Sequence, residues 1–350
     1  MTIDIVIFSR GREIELSRTL FRLSQTEFNV LVFHNNQREV RGISEFENVK
    51  YYLCPNMNYS ERAEIAKNYL ANPFSIICSD DDGLIESQLK KMKSFLEKNS
   101  NYSSVGGIAI GVYPYGKRVT GSFAYREMLN YEISQESAKE RIQHHLQFKE
   151  KGGIPRAGMY RLYRREDMSK LLDMIAKCSG FSTPYIYEVL SEIVAAWLGK
   201  TIYLENIYWL RNWKTKMISR SDWDRKREFS DWWDNNFYSE EKGRFLKILT
   251  NNLELDSEFL DRVISDYSDS KKVFLKYKKY KREISLPSLS KAKQKFIEKV
   301  LKNRMPISLS ELVVKECPEI SYDVIEEICA VSSNMFFLDS LKRSASNRAY

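Results

Sequence analysis

The chain has 350 residues, 43% of them hydrophobic and 29% charged, with a formal net charge of +8. That length accommodates two domains or one large domain with an appendage, and the positive balance suits an anionic partner: nucleotide phosphates, an acidic glycan, a membrane surface or nucleic acid. Five scattered cysteines without a CxxC pair suggest neither a zinc cluster nor a disulfide framework, and no stretch is long and apolar enough to span a bilayer. The opening Met1-Thr2-Ile3-Asp4 enters an apolar run at once and lacks the features of a signal peptide, so a cytoplasmic protein with reduced thiols is expected.

Ile3 to Phe8 is a β-branched run that predicts a buried strand. Ser9-Arg10-Gly11-Arg12 follows as a loop, and Glu13 to Leu23 has apolar residues at Ile14, Leu16, Leu20 and Leu23, as an amphipathic helix would. Asn29 to His34 predicts a second strand, ending in Asn35-Asn36, and Lys50 to Leu53 a short third. Tyr59 to Leu70 reads as a helix with Ser60 as its cap, and Phe74 to Ser79 as a strand delivering Asp80-Asp81-Asp82. This β-α-β-α-β alternation predicts a parallel sheet covered by helices, with ligands outside the carboxyl ends of the strands. Ser9-Arg10, Asn35-Asn36 and the aspartates would share that edge.

Further on, the pattern predicts a helix over Leu84 to Asn99, a strand over Val105 to Val112, a polar helix over Glu136 to Glu150 and a strand over Gly158 to Tyr163. Helices at Arg165 to Cys178 and Thr183 to Leu198, with Pro184 in the first turn of the latter, precede a strand at Thr201 to Leu210. Composition shifts near residue 215, dividing the chain into 1–215 and a mostly helical 216–350. In the second part helices are expected at Glu240 to Leu253, Ser257 to Tyr267, the basic stretch Lys271 to Arg282, Ser290 to Asn303, and in short patterns from Ser308 to Leu341.

Three adjacent carboxylates repel one another unless a cation neutralises them. Hard cations such as Mg²⁺ and Mn²⁺ prefer oxygen ligands and bridge one or two carboxylates to a diphosphate. Asp80 to Asp82 read either as such a site or as a solvated acidic loop that starts a helix. Gly106-Gly107 lets backbone approach a ligand or marks a bulge. His144-His145 reads as a solvated pair, since adjacent helical residues face apart. Trp223, Trp232 and Trp233 suit helix packing better than sugar stacking.

The strand with a polar loop, the second strand ending in Asn-Asn, the helix, and the strand ending in Ser79-Asp80-Asp81-Asp82 together resemble the GT-A glycosyltransferases over about residues 1–215. The likeness is greatest to their family-2-like inverting members. It implies an α/β fold of GT-A type: a mostly parallel, Rossmann-like sheet sandwiched by helices, here with an α-helical C-terminal region. It implies that Ser9 and Arg10 hold the nucleoside, that Asn35 and Asn36 contact the base or ribose, and that Asp81 lies in the donor pocket. Asp80 and Asp82 would hold Mn²⁺ or Mg²⁺ at the donor diphosphate. Arg62 is expected at a phosphate, and Arg211 either at the leaving diphosphate or as a surface arginine flanking Trp209 and Trp213. Glu188, or Glu192 one turn on, would be the general base that deprotonates the acceptor hydroxyl; the alternative is that both are exposed helix carboxylates. The chain departs from the family pattern in its Phe8-Ser9-Arg10-Gly11-Arg12 loop. It also has Asn35-Asn36 where an Asp is frequent, and Glu61-Arg62-Ala63-Glu64 in place of Ala-Arg-Asn.

The implied function is metal-dependent transfer of a sugar, with inversion, from a nucleoside-diphosphate sugar to a hydroxyl of a glycan or lipid-linked glycan in bacterial surface polysaccharide synthesis. A peripheral contact with the inner face of the cell membrane is expected, and nucleic acid is not expected as a partner. The competing readings are a non-enzymatic polyanion-binding protein, on the net charge and Lys271 to Arg282, and a nucleotidyltransferase, whose glycine-rich phosphate loop is not evident.

Overall fold

The computed structural model describes residues 3–40, 43–115, 118–125, 131–147, 158–212, 229–284, 309 and 320–337. Its centre is a ten-stranded mixed sheet. The first strands follow from continuous apolar runs: β1 (Ile3–Ser9), β2 (Asn29–His34), β3 (Val49–Leu53) and β4 (Phe74–Cys78). They lie in the order β3-β2-β1-β4, all parallel, with Ser9 opposite His34 and Ile7 opposite Cys78. Ile5, Val6 and Ile7 are all fully buried, as expected where helices cover both faces of a parallel sheet.

The second half of the sheet contains β5 (Gly83–Leu84), β6 (Tyr102–Tyr115), β7 (Arg118–Ala124), β8 (Glu132–Ile133), β9 (Leu162–Arg164) and β10 (Lys200–Asn212). β6 and β10 are parallel, while the short β9 joins β4 to β6 antiparallel to both. Because β9 reverses direction twice over, β10 runs the same way as β1, and its Trp209–Asn212 end reaches the same edge as Ser9 and the aspartates. The register of β10 on β6 slips between Tyr203 and Ile207. Gly106 and Gly107 lie against that irregularity: a Cβ at Gly106 would come 2.4 Å from the Tyr203 ring, and one at Gly107 2.5 Å from the Asn206 carbonyl oxygen. The glycine pair therefore serves the bulge.

Helices α1 (Glu13–Leu23), α2 (Tyr59–Ala66), α3 (Glu86–Lys98), α4 (Ala138–Leu146), α5 (Arg165–Lys177) and α6 (Ile186–Leu198) flank the sheet. α2 is capped by Asn58, in a reciprocal capping box with Glu61; Ser60, expected as the cap, instead bonds the Cys178 carbonyl and the Tyr187 hydroxyl. In α1 the apolar stripe is Leu16, Leu20 and Leu23, whereas Ile14 is 66% exposed. The predicted strand Gly158 to Tyr163 is a 3₁₀ turn over Gly158–Tyr160 followed by β9.

The C-terminal region is helical: α7 (Phe229–Trp233), α8 (Ser239–Leu253), α9 (Ser257–Ile284) and α10 (Tyr322–Phe337). Trp232 and Trp233 are buried, and with Phe229, Phe245, Leu260 and Tyr267 they belong to the same hydrophobic cluster as the sheet. α9 continues through Lys271 to Arg282, where most side chains lie outside the described set, as do Trp223 and Ser290 to Asn303. α10 packs Val324, Ile328, Val331 and Met335 on Ile85, Ile110 and Leu210. No helix among the described residues is long and apolar enough to cross a membrane.

Candidate active site

The edge formed by the carboxyl ends of β1, β2, β4 and β10 gathers most of the residues singled out in the sequence. Asp80, Asp81 and Asp82 are all buried, at 5%, 9% and 3% exposure, so the triplet is not a solvated loop. Nor does it cap α3, which begins at Glu86 behind Ile85. α1 fixes the triplet's backbone. The Thr19 hydroxyl donates to the carbonyls of Asp80 and Asp82, and the buried Arg22 guanidinium donates to those of Leu84 and Asp82.

The side chains divide. The Ser9 hydroxyl donates to Asp80 Oδ2 at 2.8 Å, and Arg12 Nη1 lies 3.0 Å from Asp80 Oδ1 and 2.9 Å from Asp81 Oδ2. Asp82 turns to β10: its Oδ2 accepts from Trp209 Nε1 at 2.8 Å and its Oδ1 from the Asn212 backbone N–H at 2.9 Å. Burial pushes the Asp80 carboxyl up to about 6, with Arg12 opposing and Asp81 adding to the rise. Burial and then Asp81 push Asp82 up to about 7, against the Asn212 N–H, Arg211 and Trp209. Arg211 thus acts electrostatically on Asp82, and its guanidinium lies over the rings of Tyr125 and Trp209, 5.3 and 5.9 Å from their centroids. Tyr160 and Tyr125 both stack on Trp209, at 4.3 and 5.7 Å between centroids, so the indole that bonds Asp82 is flanked by aromatic rings.

Other expected residues hold the rim itself. Asn35 donates to the Met57 carbonyl and accepts from the Asn56 N–H; Asn36 donates to Glu13 Oε1. The buried Arg62, expected at a phosphate, donates to the carbonyls of Ser9 and Phe33 at 2.7 and 2.9 Å, tying the ends of β1 and β2 together. Arg10 is exposed in the loop after β1.

The two helix carboxylates part company. α6 runs into β10 through Gly199, so its first turn, with Glu188, stands at the carboxyl edge of the sheet, where neighbouring Tyr187 meets Ser60 and Tyr59 of α2. Glu188 is half-buried. Glu192 is 2% exposed and committed: Arg161 Nη2 and His145 Nε2 reach its Oε2 at 3.0 and 2.8 Å, and the Gly158 N–H its Oε1 at 2.9 Å. Burial alone would raise the Glu192 carboxyl, but Arg161 and His145 outweigh it and hold it below the usual range. It is neither an exposed carboxylate nor a poised base. His145, expected in solvent, is fully buried in this cluster; burial lowers its pKa. Its neutral ring donates from Nε2 to the carboxylate, which can only accept, and takes the Tyr131 hydroxyl at Nδ1, 2.9 Å away.

Arg12, Thr19, Arg22 and Trp209 were not singled out from the sequence. Arg12 stood in the quoted loop, and Thr19 and Arg22 are three apart on the face of α1 that meets the triplet; Trp209 carried no signal beyond its place in a strand.

The aspartates offer carboxylate oxygens only, the donor set of a hard divalent cation, and Asp80 and Asp81 already converge on one positive group. Among the described residues no cluster of three or more His, Cys, Asp or Glu side chains is arranged to hold a metal alone. A Mg²⁺-type ion bound by one or two carboxylates and completed by phosphate oxygens fits such a site.

No protein-family model matches the chain, and no curated protein matches it. Among solved structures it is similar to S. aureus TarS 1-349, with 12% identity, a TM-score of 0.52 and coverage of 100% of this chain and 93% of that one. It is also similar to S. aureus TarS 1-349 in complex with UDP-GlcNAc, with 15% identity, a TM-score of 0.52 and coverage of 77% and 72%. The likeness is one of fold: a mixed α/β sheet flanked by helices, with a helical C-terminal region.

Two outcomes follow from the buried acids. Asp80 and Asp82 bind protons more tightly folded than unfolded, so the metal-free protein loses their contribution to stability as pH rises from about 4 to about 7. Urea unfolding of wild type against Asp82→Asn across that range should show the wild type losing ground steadily; a constant difference would contradict the shift. Glu192→Ala leaves Arg161 and His145 buried without their partner and should lower the unfolding free energy by about 3–5 kcal/mol. A loss below about 1 kcal/mol would show that the cluster does not hold the fold.

Proposed function

We propose that the protein is a metal-dependent glycosyltransferase that moves a sugar from a nucleoside-diphosphate sugar to a hydroxyl of a glycan or lipid-linked glycan. The observation that carries this reading is the set of three buried aspartates at the carboxyl edge of a GT-A-like sheet, with cationic and aromatic side chains about them and a helix carboxylate at the same edge. Support comes from the shared fold with TarS 1-349, a protein whose structure is also known in complex with UDP-GlcNAc.

On this reading Asp80 and Asp82 are the Mn²⁺ or Mg²⁺ ligands that the family resemblance implies, and Asp81, which shares the Arg12 guanidinium with Asp80, stands beside them in the donor pocket. A divalent cation held there supplies positive charge to the diphosphate leaving group. Ser9 and Asn35 keep the ends of β1 and β2 in place for the nucleoside, with Arg10 beside them. Arg211, fixed over Tyr125 and Trp209, adds a second positive charge at the edge. Glu188 takes the proton of the acceptor hydroxyl as its oxygen attacks the anomeric carbon, which gives inversion by direct displacement. The basic exterior suits an anionic acceptor or a membrane surface carrying it.

Thermal unfolding in the presence of UDP, GDP or CDP should show stabilisation by one of them that requires Mn²⁺ or Mg²⁺. Hydrolysis of the corresponding nucleotide-sugar should vanish in Asp82→Ala and in chelator; full activity in chelator refutes the metal role. Glu188→Gln should lower the transfer rate by about 10²–10⁴-fold with little change in donor binding. Salt-sensitive binding to nucleic acid with no nucleotide preference would favour a polyanion-binding protein instead.

A further inference from the structure

We propose that Arg12 is the resident counter-ion of the carboxylate rim, and that its guanidinium and the divalent cation compete for Asp80 and Asp81. The inference rests on the metal reading above and adds the residue that controls entry to the site.

Four observations carry it. A single nitrogen, Arg12 Nη1, lies within 3.0 Å of both Asp80 Oδ1 and Asp81 Oδ2, so it holds the point where the two carboxylates converge. The Arg12 side chain is 19% exposed while those of Asp80 and Asp81 are 7% and 9% exposed, so the guanidinium is the more solvent-accessible partner of these pairs. Three other arginines near the triplet make contacts of their own: Arg22 with the carbonyls of Asp82 and Leu84, Arg62 with those of Ser9 and Phe33, and Arg211 over two rings.

The fourth observation is local. Arg12 is the residue ahead of α1 and makes no side-chain cap, as is also the case at the starts of α3, α5, α6 and α8, so its guanidinium is left to the acids. A guanidinium has no acceptor and cannot cap a helix N-terminus. Gly11 just before it has φ of 65°, a left-handed turn that a side chain would strain. The left-handed turn at Gly11 thus directly precedes the residue whose guanidinium meets Asp80 and Asp81.

Two positive charges on the same oxygens repel strongly in a site this buried. A metal therefore enters the nucleotide-free protein only by displacing Arg12. A diphosphate removes the obstacle, because its oxygens accept a guanidinium in bidentate fashion and release the carboxylates. Metal and nucleotide then bind as mutually supporting ligands.

The test is Mn²⁺ binding without nucleotide, read by electron paramagnetic resonance of free Mn²⁺, in wild type, Arg12→Gln, Arg12→Lys and the double variant Arg12→Gln/Asp80→Asn. Arg12→Gln should bind Mn²⁺ at least about tenfold more tightly than wild type, and the double variant should lose that gain. Lysine keeps a charge but on a more strongly hydrated ammonium, which leaves the carboxylates more readily, so Arg12→Lys should gain about threefold, and it decides the matter if Arg12→Gln does not fold. Mn²⁺ binding by these variants equal to or weaker than wild type overturns the competition and leaves the metal reading standing. No Mn²⁺ binding to any of the proteins, with or without UDP, overturns both.

Discussion

Three consecutive carboxylates buried at a sheet edge are the constraint around which this molecule is organised. An ionised carboxylate removed from water costs several kcal/mol unless hydrogen bonds and opposite charge compensate. The compensation is divided by chain segment. α1 supplies Thr19 and Arg22 to the backbone of the triplet and, from its leading edge, Arg12 to the side chains of Asp80 and Asp81. β10 supplies the Trp209 indole and the Asn212 amide to Asp82. Each charge-assisted bond contributes about 1.5–3 kcal/mol, so the triplet is tolerable only when both elements are in place. The first helix and the last strand, some two hundred residues apart in sequence, are therefore joined through one loop.

That loop is supported from behind at two points. Trp209 is stacked by Tyr160, and the turn carrying Tyr160 is held by Gly158, whose N–H donates to Glu192. A Cβ at Gly158 would lie 2.9 Å from Glu192 Oε2, so only glycine lets the turn sit on the carboxylate so closely. Glu192 is in turn fixed by Arg161 and His145, and the chain of contacts runs from a buried ion cluster to the carboxylate rim. At the other point, a Cβ at Gly83 would come 2.8 Å from Val331 of α10. The residue directly after the triplet is thus pressed by the C-terminal helix, which gives that region a mechanical connection to the site.

Where the chemistry of a residue matched its burial, the sequence was readable. The apolar runs of β1, β2 and β4 became strands buried on both faces, and the three aspartates became the focus of the edge they end on. What escaped was decided by long-range pairing. β9 is three residues long and joins β4 to β6 antiparallel, a reversal that no local periodicity announces. Glu188 and Glu192 are separated by one helical turn, yet only tertiary contacts with Arg161 and His145 make the second a structural anion. The polar helix that carries His145 predicts a solvated ring; its burial comes from Tyr131 and α6. Arg12 was visible in the loop but indistinguishable from Arg10 until the turn at Gly11 aimed it at the acids.

The sign of the charges limits how a diphosphate donor is received. The chain carries 55 lysines and arginines against 47 acidic residues, which draws polyanions to its surface, yet its candidate centre is acidic. A diphosphate arriving at bare carboxylates would be repelled at the place where the glycosyl transfer proposed above must occur. The exterior charge would thus bring such a donor near, but only a local positive group would let it dock. Arg211 is held in place by two aromatic rings and stays beside Asp82, whereas Arg12 is tied by ion pairs that a phosphate can replace. On the reading proposed above, a fixed cation beside Asp82 and an exchangeable one at Asp80 and Asp81 would keep the rim neutralised while empty and still open to a metal when the donor arrives.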